Sequence, residues 1–299
     1  MSTSTPVQQD GTTDEVKRMA RRQRFLNEIF GERFVATFNS PVLFLDDQEL
    51  KSPVAIRFFK KDFSYLSKQL YLEYQYRSWK GFNLELLTRY SDLVTKKLEN
   101  INILMTNTVN RLQKLMETQG HKLAGSLWPT SMQHDVPIIA GQARAYYELL
   151  RSLEQVYLLA GTANLFGVIT SAQRAEAEFI CKKAVRAFRS VLQTEVIKLY
   201  READRLMKEQ HSAGHVDKQM AALVEMQGND IKSFDATSEE EGHTDSGMDM
   251  GSADAGQLID EAAAASTAAA STAKRKPPKK AAGADAPAVT ASEPAAAAS

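Results

Sequence analysis

The feature that most constrains this chain is a ladder of side chains between Phe82 and Gln119. Leu84, Leu87, Ser91, Val94, Leu98, Ile101, Met105, Thr108, Leu112 and Leu115 follow at alternating steps of three and four, and eight of the ten are apolar. Such steps hold side chains on one face of an α-helix, and over four heptads and more they describe a coiled-coil-like seam. At 1.5 Å per residue the helix spans roughly 50 Å, more than a compact single domain. An apolar stripe of that length demands a long partner helix, from this chain or another. Residues 170–209 offer one. Ala177, Ile180, Cys181, Ala184, Val185, Phe188, Leu192, Val196, Leu199 and Leu206 mark its buried face, and Lys182, Lys183, Arg186 and Arg189 its polar side. Thr170 and Gln173 have capping-box spacing at its start. The two long helices are expected to pair as the spine of a bundle.

Shorter elements surround this spine. Val16 to Phe30 reads as a helix with Val16, Met19, Ala20, Leu26, Ile29 and Phe30 on its apolar side, and Gly31 as its stop. Arg33 to Asp46 is rich in aromatic and β-branched residues broken by Asn39-Ser40-Pro41, which predicts two short strands joined by a turn. Ser52-Pro53 supplies an N-cap and a first-turn proline for a helix running to about Trp79. His121 to Gly141 reads as a loop, Gln142 to Ala160 as an apolar helix, and Gly161 to Gly167 as a turn. The fold class expected is mainly α: a helical bundle with two long helices, a short β ribbon near the N-terminus at 33–46, and a disordered C-terminal tail.

Charge divides the chain. Residues 1–15 carry net −3, 16–208 net +11, 209–261 net −11 and 262–299 net +3. Residues 1–15 read as a disordered arm. Residues 210–299 read as a disordered acidic and then Ala/Lys-rich tail, with only a weak helix between Val216 and Gln227. The last 38 residues hold 18 alanines and the cluster Lys274-Arg275-Lys276-Pro277-Pro278-Lys279-Lys280. Such stretches bury too little apolar surface to offset the entropy of ordering them.

A basic folded region concentrates polyanions around it. Lys17, Arg18, Arg21, Arg22 and Arg24 place five cations within eight residues of the first helix. They read either as a solvated face or as a phosphate-binding stripe, since arginine meets phosphate in two-pronged fashion. Lys182, Lys183, Arg186 and Arg189 form a second stripe, diluted by Glu176 and Glu178. The acidic segment is a candidate to fold back and screen the basic region.

Motifs of enzymes are absent from the sequence: no phosphate loop, no His-Glu-x-x-His, no nucleophile elbow, no dinucleotide fingerprint. One cysteine excludes a disulfide framework, and Cys181 reads as a small hydrophobe. His211 and His215 have the spacing of two metal ligands but flank Gly214, and His134 beside Asp135 reads as a surface turn or a general base. No cofactor, metal or small-molecule substrate is expected. No apolar run reaches membrane-spanning length and no secretory signal is visible, which predicts a cytoplasmic protein without membrane contact.

The stretch Tyr146-Tyr-Glu-Leu-Leu-Arg-Ser-Leu-Glu-Gln-Val, followed by Ala184-Val-Arg-Ala-Phe-Arg, resembles the AcaB-like transcriptional regulators of integrating conjugative elements and conjugative plasmids, over about residues 33–208. The resemblance implies a DNA-binding protein with a β ribbon as reading element. Val35, Thr37 and Asn39 on one ribbon face would then reach base edges in a major groove, with Phe34 and Phe38 facing inward. The expectation is a non-enzymatic regulator or accessory protein of a mobile genetic element, binding double-stranded DNA as a homodimer. The alternative is a protein–protein interaction scaffold built on the long heptad helix 82–119.

Overall fold

The structure, a computed structural model, describes residues 10–121, 128–129, 131–212 and 218–239. Side chains are described from Val16 to Phe234 within those ranges. The acidic segment beyond Glu239, the lysine cluster at 274–280 and His215 lie outside them, as do residues 1–9.

The elements in order are α1 (Asp10–Phe30), α2 (Glu32–Val35), β1 (Leu43–Leu50), α3 (Pro53–Phe58), a π-helical segment (Phe59–Phe63), α4 (Ser64–Arg77), α5 (Leu84–Thr118), β2 (Met132–Ile138), α6 (Gly141–Leu165), α7 (Ser171–Ser212) and α8 (Lys218–Glu239). The protein is a helical bundle with two long helices and one two-stranded antiparallel ribbon. The anticipated spine is present: α5 packs on α6 and α7. His121, just past α5, stacks on Phe166, just past α6, at 4.5 Å, so these helices run in the same direction. A side chain on Gly81, ahead of α5, would meet Leu206 near the end of α7 at 3.7 Å, so α7 runs the opposite way. The Thr170–Gln173 capping box forms: the Thr170 N–H donates to Gln173 Oε1 at 2.9 Å and the Gln173 N–H to Thr170 Oγ1 at 3.2 Å.

The seam of α5 differs from the expected heptads. Its buried positions are Leu87, Tyr90, Val94, Leu98, Ile101, Met105, Val109, Leu112 and Met116, stepping three, four, four. That is an 11-residue repeat of 3.67 residues per turn, close to the 3.6 of a straight helix; a strict heptad drifts about 20° per repeat and suits only a supercoil. Leu84 and Leu115, the ends of the heptad ladder, are 57% and 38% exposed, whereas Tyr90 and Val109, off that ladder, are buried. Met105→Ala is therefore expected to destabilise the protein by about 2–5 kcal/mol. Leu84→Ala should change stability by less than about 0.5 kcal/mol. Urea unfolding of the two variants checks both; comparable losses would restore the heptad seam.

The ribbon keeps 43–46 of the expected second strand, extended to Leu50 as β1, but its partner strand is a different one. Segment 33–46 is no hairpin. Glu32–Val35 is a helical turn, and Phe30, Phe34 and Phe38, spaced four apart, cluster with ring centroids 5.4–6.3 Å apart over Tyr71 of α4. Burying three aromatic rings and Tyr71 in one cluster outweighs the β propensity of the segment. The strand that pairs β1 is β2, from the stretch read as a loop, in register from Leu43 opposite Ile138 to Leu50 opposite Met132. Pro137 is tolerated because a strand in a two-stranded ribbon has one unpaired edge. A bulge between Leu45 and Gln48 puts Asp47 at φ 52, and its N–H donates to Asp135 Oδ1 at 3.2 Å.

α4 is the central helix, buried nearly all round from Tyr65 to Tyr76. Ser52 makes no side-chain cap for α3; the Glu154 carboxylate instead accepts the N–H groups of Lys51 (2.6 Å) and Ser52 (3.1 Å). The folded region also runs past residue 209. α8 buries Met220, Leu223, Val224, Gln227, Ile231 and Phe234. Gln227 accepts from the Tyr76 hydroxyl and donates to Gln69 Oε1 at 3.0 Å, Asp230 pairs with Lys68 at 3.3 Å, and Phe234 stacks on Tyr65 at 3.7 Å. Residues 218–234 thus belong to the bundle rather than to a tail.

Candidate nucleic-acid interface

The cations of α1 divide at Arg22. From Leu26 onward the helix is held to the body: Leu26 and Phe30 are buried, and the Ser64 hydroxyl donates to the Ile29 carbonyl at 2.5 Å. Arg22 adds a further anchor. Its guanidinium donates to both carboxylate oxygens of Asp46 at the β1 bulge, at 2.5 Å, and lies 4.8 Å from the Phe44 ring centroid. Arg22, expected on phosphate, is thus a structural clasp between α1 and the ribbon. Ahead of it, residues 16–21 are exposed on every side, including Val16 and Met19, which the apolar pattern had placed in the core. Lys17, Arg18, Arg21 and Arg24 are exposed, and among the described residues Arg18, Arg21 and Arg24 have no ion-pair partner.

The second stripe is drawn into the fold. Lys182, Lys183 and Arg186 are half-buried on α7, with Lys183 5.7 Å from the Phe179 ring. Arg189 is buried and pairs with Asp62 at 3.1 Å, with Phe234 of α8 4.0 Å away over its guanidinium. It is unavailable to a phosphate. The π-helical segment carries Asp62, itself fully buried, into this pair. Elsewhere cations meet carboxylates within a few residues along their own helices: Arg77 with Glu73, Arg144 with Glu148, Arg174 with Glu178, Lys198 with Glu195, Arg205 with Glu202 and Glu209, and Lys208 with Asp204. These pairs hold individual cations in place, whereas Arg33, Arg89, Arg111, Arg151 and Arg201 are exposed without an ion-pair partner among the described residues.

The expected base-reading residues do not share a strand face. Val35 ends α2, the Thr37 hydroxyl donates to the Phe34 carbonyl at 2.7 Å, and Asn39 is tied to α4. The Asn39 N–H donates to Tyr71 Oη at 3.2 Å, and Asn39 Oδ1 accepts from Gln75 Nε2 at 2.9 Å. These bonds hold the 36–42 connection on the body, and a β ribbon cannot present the three side chains together.

Other candidate chemistry is structural in character. His134 packs at 4.4 Å on Phe59 and 5.9 Å from Tyr147, with Nδ1 3.2 Å from the Met132 carbonyl. Burial holds its pKa below the ordinary value, against opposing pulls from that carbonyl and from Asp135. A lowered folded-state pKa means the unfolded chain takes the proton first. The contribution of His134 is intact above pH about 6.5 and declines as pH falls below it. His134→Phe is expected to flatten the acid side of the stability–pH curve below about pH 6.5; an unchanged curve would place the acid sensitivity elsewhere. Cys181 is buried opposite Thr108, and burial pushes its thiol up to about 11. Among the described residues no cluster of three or more metal-ligating side chains occurs, and no helix is long and apolar enough to cross a membrane. An open polar cleft between the β1 bulge and α6 is lined by Glu49, Lys51, Arg151 and Glu154. Its Glu49–Lys51 pair at 3.0 Å and the capping role of Glu154 occupy three of these groups.

No family model matches the chain, and no curated protein matches it. Among solved structures, the crystal structure of selenomethionine-containing AcaB from uropathogenic E. coli is similar to it over 63% of this chain and 100% of that chain, with 18% identity and a TM-score of 0.46.

Proposed function

We propose that the protein is a non-enzymatic DNA-binding accessory protein or transcriptional regulator of a mobile genetic element, holding double-stranded DNA through the exposed face of α1 and acting as a homodimer. The observation that carries this reading is the trio Arg18, Arg21 and Arg24, exposed and without ion-pair partners among the described residues of α1. Three arginines within seven residues of one helix, exposed and unpaired among the described residues, are suited to a polyanion. Lys17 adds to that face, and Lys182, Lys183 and Arg186 supply a second, weaker contact from α7.

The scaffold alternative required an unoccupied seam on 82–119. The seam of α5 is covered by α6 and α7 of the same chain, so no observation favours that reading. Gel-shift titration of the full chain on mixed-sequence duplex DNA, with light scattering on the same sample, tests the proposal. Binding is expected to weaken steeply as salt rises from about 50 to about 200 mM, because each phosphate contact releases condensed counterions. No binding at the lowest salt, or a monomeric mass in the bound state, overturns the corresponding part.

A further inference from the structure

We propose that the acidic segment beginning at Glu239 continues along the groove between α4 and α7 and lies against Lys61, Lys182 and Arg186, so that the chain itself occupies this cationic end of the groove. The consequence for DNA rests on the function proposed above: the second contact, from α7, opens to a duplex only when the segment lifts off.

The register of α8 gives the direction. Along α4, Gln227 meets Gln69 and Tyr76, Asp230 meets Lys68, and Phe234 meets Tyr65. Along α7, a side chain on Gly228 would meet Tyr200 at 3.0 Å, and Phe234 lies on Arg189. Each step forward on α8 is a step back on both neighbours, so α8 runs antiparallel to each. Beyond Phe234 the same register reaches Lys61, which precedes Tyr65 by one turn, and then Arg186 and Lys182, which precede Arg189 by one turn and two. The chain there reads Glu239-Glu240-Glu241, and its backbone is still helical at Glu239. At the helical rise, Glu239 to Glu241 fall about 7.5–10.5 Å past Phe234. Arg186 and Lys182 lie about 4.5 and 10.5 Å past Arg189 in the same direction.

Charge gives the occupant. The Asp62 and Asp230 carboxylates of the groove are matched by Arg189 and Lys68, and Glu178, one turn further along α7, by Arg174. Lys61, Lys182 and Arg186 are three further cations, half-buried, and none of them is without a partner. The run Glu239–Glu241 is the partner that the register brings to them. Residues 239–261 carry eight acids and no lysine or arginine, so the chain that follows the run adds to the attraction. The run is joined directly to a docked helix. It therefore meets these cations at an effective concentration that a separate molecule, or the same run on a second copy, does not match. Half-buried ion pairs of this kind weaken with salt, though less than fully exposed ones.

Two measurements on the full chain test the contact and its consequence. In the first, a mixture of ordinary and isotope-labelled protein is coupled with a carbodiimide at low salt and read by peptide mass spectrometry. Lys61 or Lys182 is expected to join Glu239, Glu240 or Glu241 within one chain. Coupling between labelled and unlabelled chains assigns the groove to a second copy and overturns the proposal. Coupling of the glutamates only to lysines elsewhere, or to neither of these two, overturns it as well. The second measurement is the salt slope of mixed-sequence duplex binding for K182A/R186A, made in the wild type and in E239Q/E240Q/E241Q. The pair is expected to lower the slope by less than about 0.5 in the wild type, where the cations are occupied. In the glutamine background it should lower the slope by about 1.8, from two phosphate contacts at about 0.9 each, or about twelvefold in affinity between about 50 and 200 mM salt. An equal change in both backgrounds, small or large, overturns the screening of α7. Absence of duplex binding in all four proteins fails the proposed function, and the coupling result then decides the contact by itself.

Discussion

Arg189→Leu is expected to lower the unfolding free energy by about 3–5 kcal/mol, among the largest single-residue effects in the protein. The substitution strips the fully buried Asp62 of the guanidinium 3.1 Å away and takes from Phe234 the cation packed 4.0 Å from its ring. A buried carboxylate separated from its cation keeps the desolvation cost without the attraction that offset it. The loss should therefore exceed that of truncating an exposed arginine such as Arg18 by several kcal/mol. Because Phe234 is the contact that fastens the end of α8, the same variant should loosen α8 and raise hydrogen exchange at residues 218–234. Asp62→Leu combined with Arg189→Met should recover most of the stability, since an apolar pair of similar volume carries no desolvation cost. Urea denaturation of the full chain measures all three proteins. A loss below about 1 kcal/mol for Arg189→Leu would show that the pair is hydrated and that Arg189 remains open to other partners.

The second large effect concerns binding. Replacing Arg18, Arg21 and Arg24 together by alanine is expected to reduce the slope of log affinity against log salt by about 2.7, from three phosphate contacts at about 0.9 each. Between about 50 and 200 mM salt the wild type should then lose about fortyfold more affinity than the variant does. Stability should change little, because the three side chains are exposed and make no ion pairs among the described residues. Arg22→Ala makes the opposite pattern: it breaks the clasp to Asp46, so it should disturb α1 and stability more than the salt slope. An unchanged slope in the triple variant would remove α1 from the interface.

Local patterns were legible where a side chain's role depends on near neighbours. Thr170 and Gln173 announced their capping box, Gly31 its helix stop at positive φ, and the long periodic stretch its helix. The repeat within that helix was not. Leu84, Leu115, Tyr90 and Val109 are all apolar or aromatic, and whether three-four or three-four-four spacing is used depends on how α6 and α7 cross it. Phe30, Phe34 and Phe38 did carry a helical signal, a spacing of four, hidden beneath the β propensity of each residue. α8 left only Met220, Leu223 and Val224 as a trace, because its other anchors are a glutamine, an aspartate and an isolated phenylalanine whose partners Tyr76, Lys68 and Tyr65 lie more than 150 residues away.

The amino-acid order alone determined the helical class, the two long helices and the excess of cations on α1 and α7, because periodicity, capping and composition act over a few residues. Tertiary structure decided which of those cations remain available. Arg22 and Arg189 look like their neighbours in sequence, yet one is claimed by Asp46 and the other by Asp62, while Arg18, Arg21 and Arg24 stay open. A charge's surroundings are set by carboxylates and rings brought close from distant parts of the chain, and Coulomb attraction and desolvation depend on that distance and burial rather than on position along the backbone.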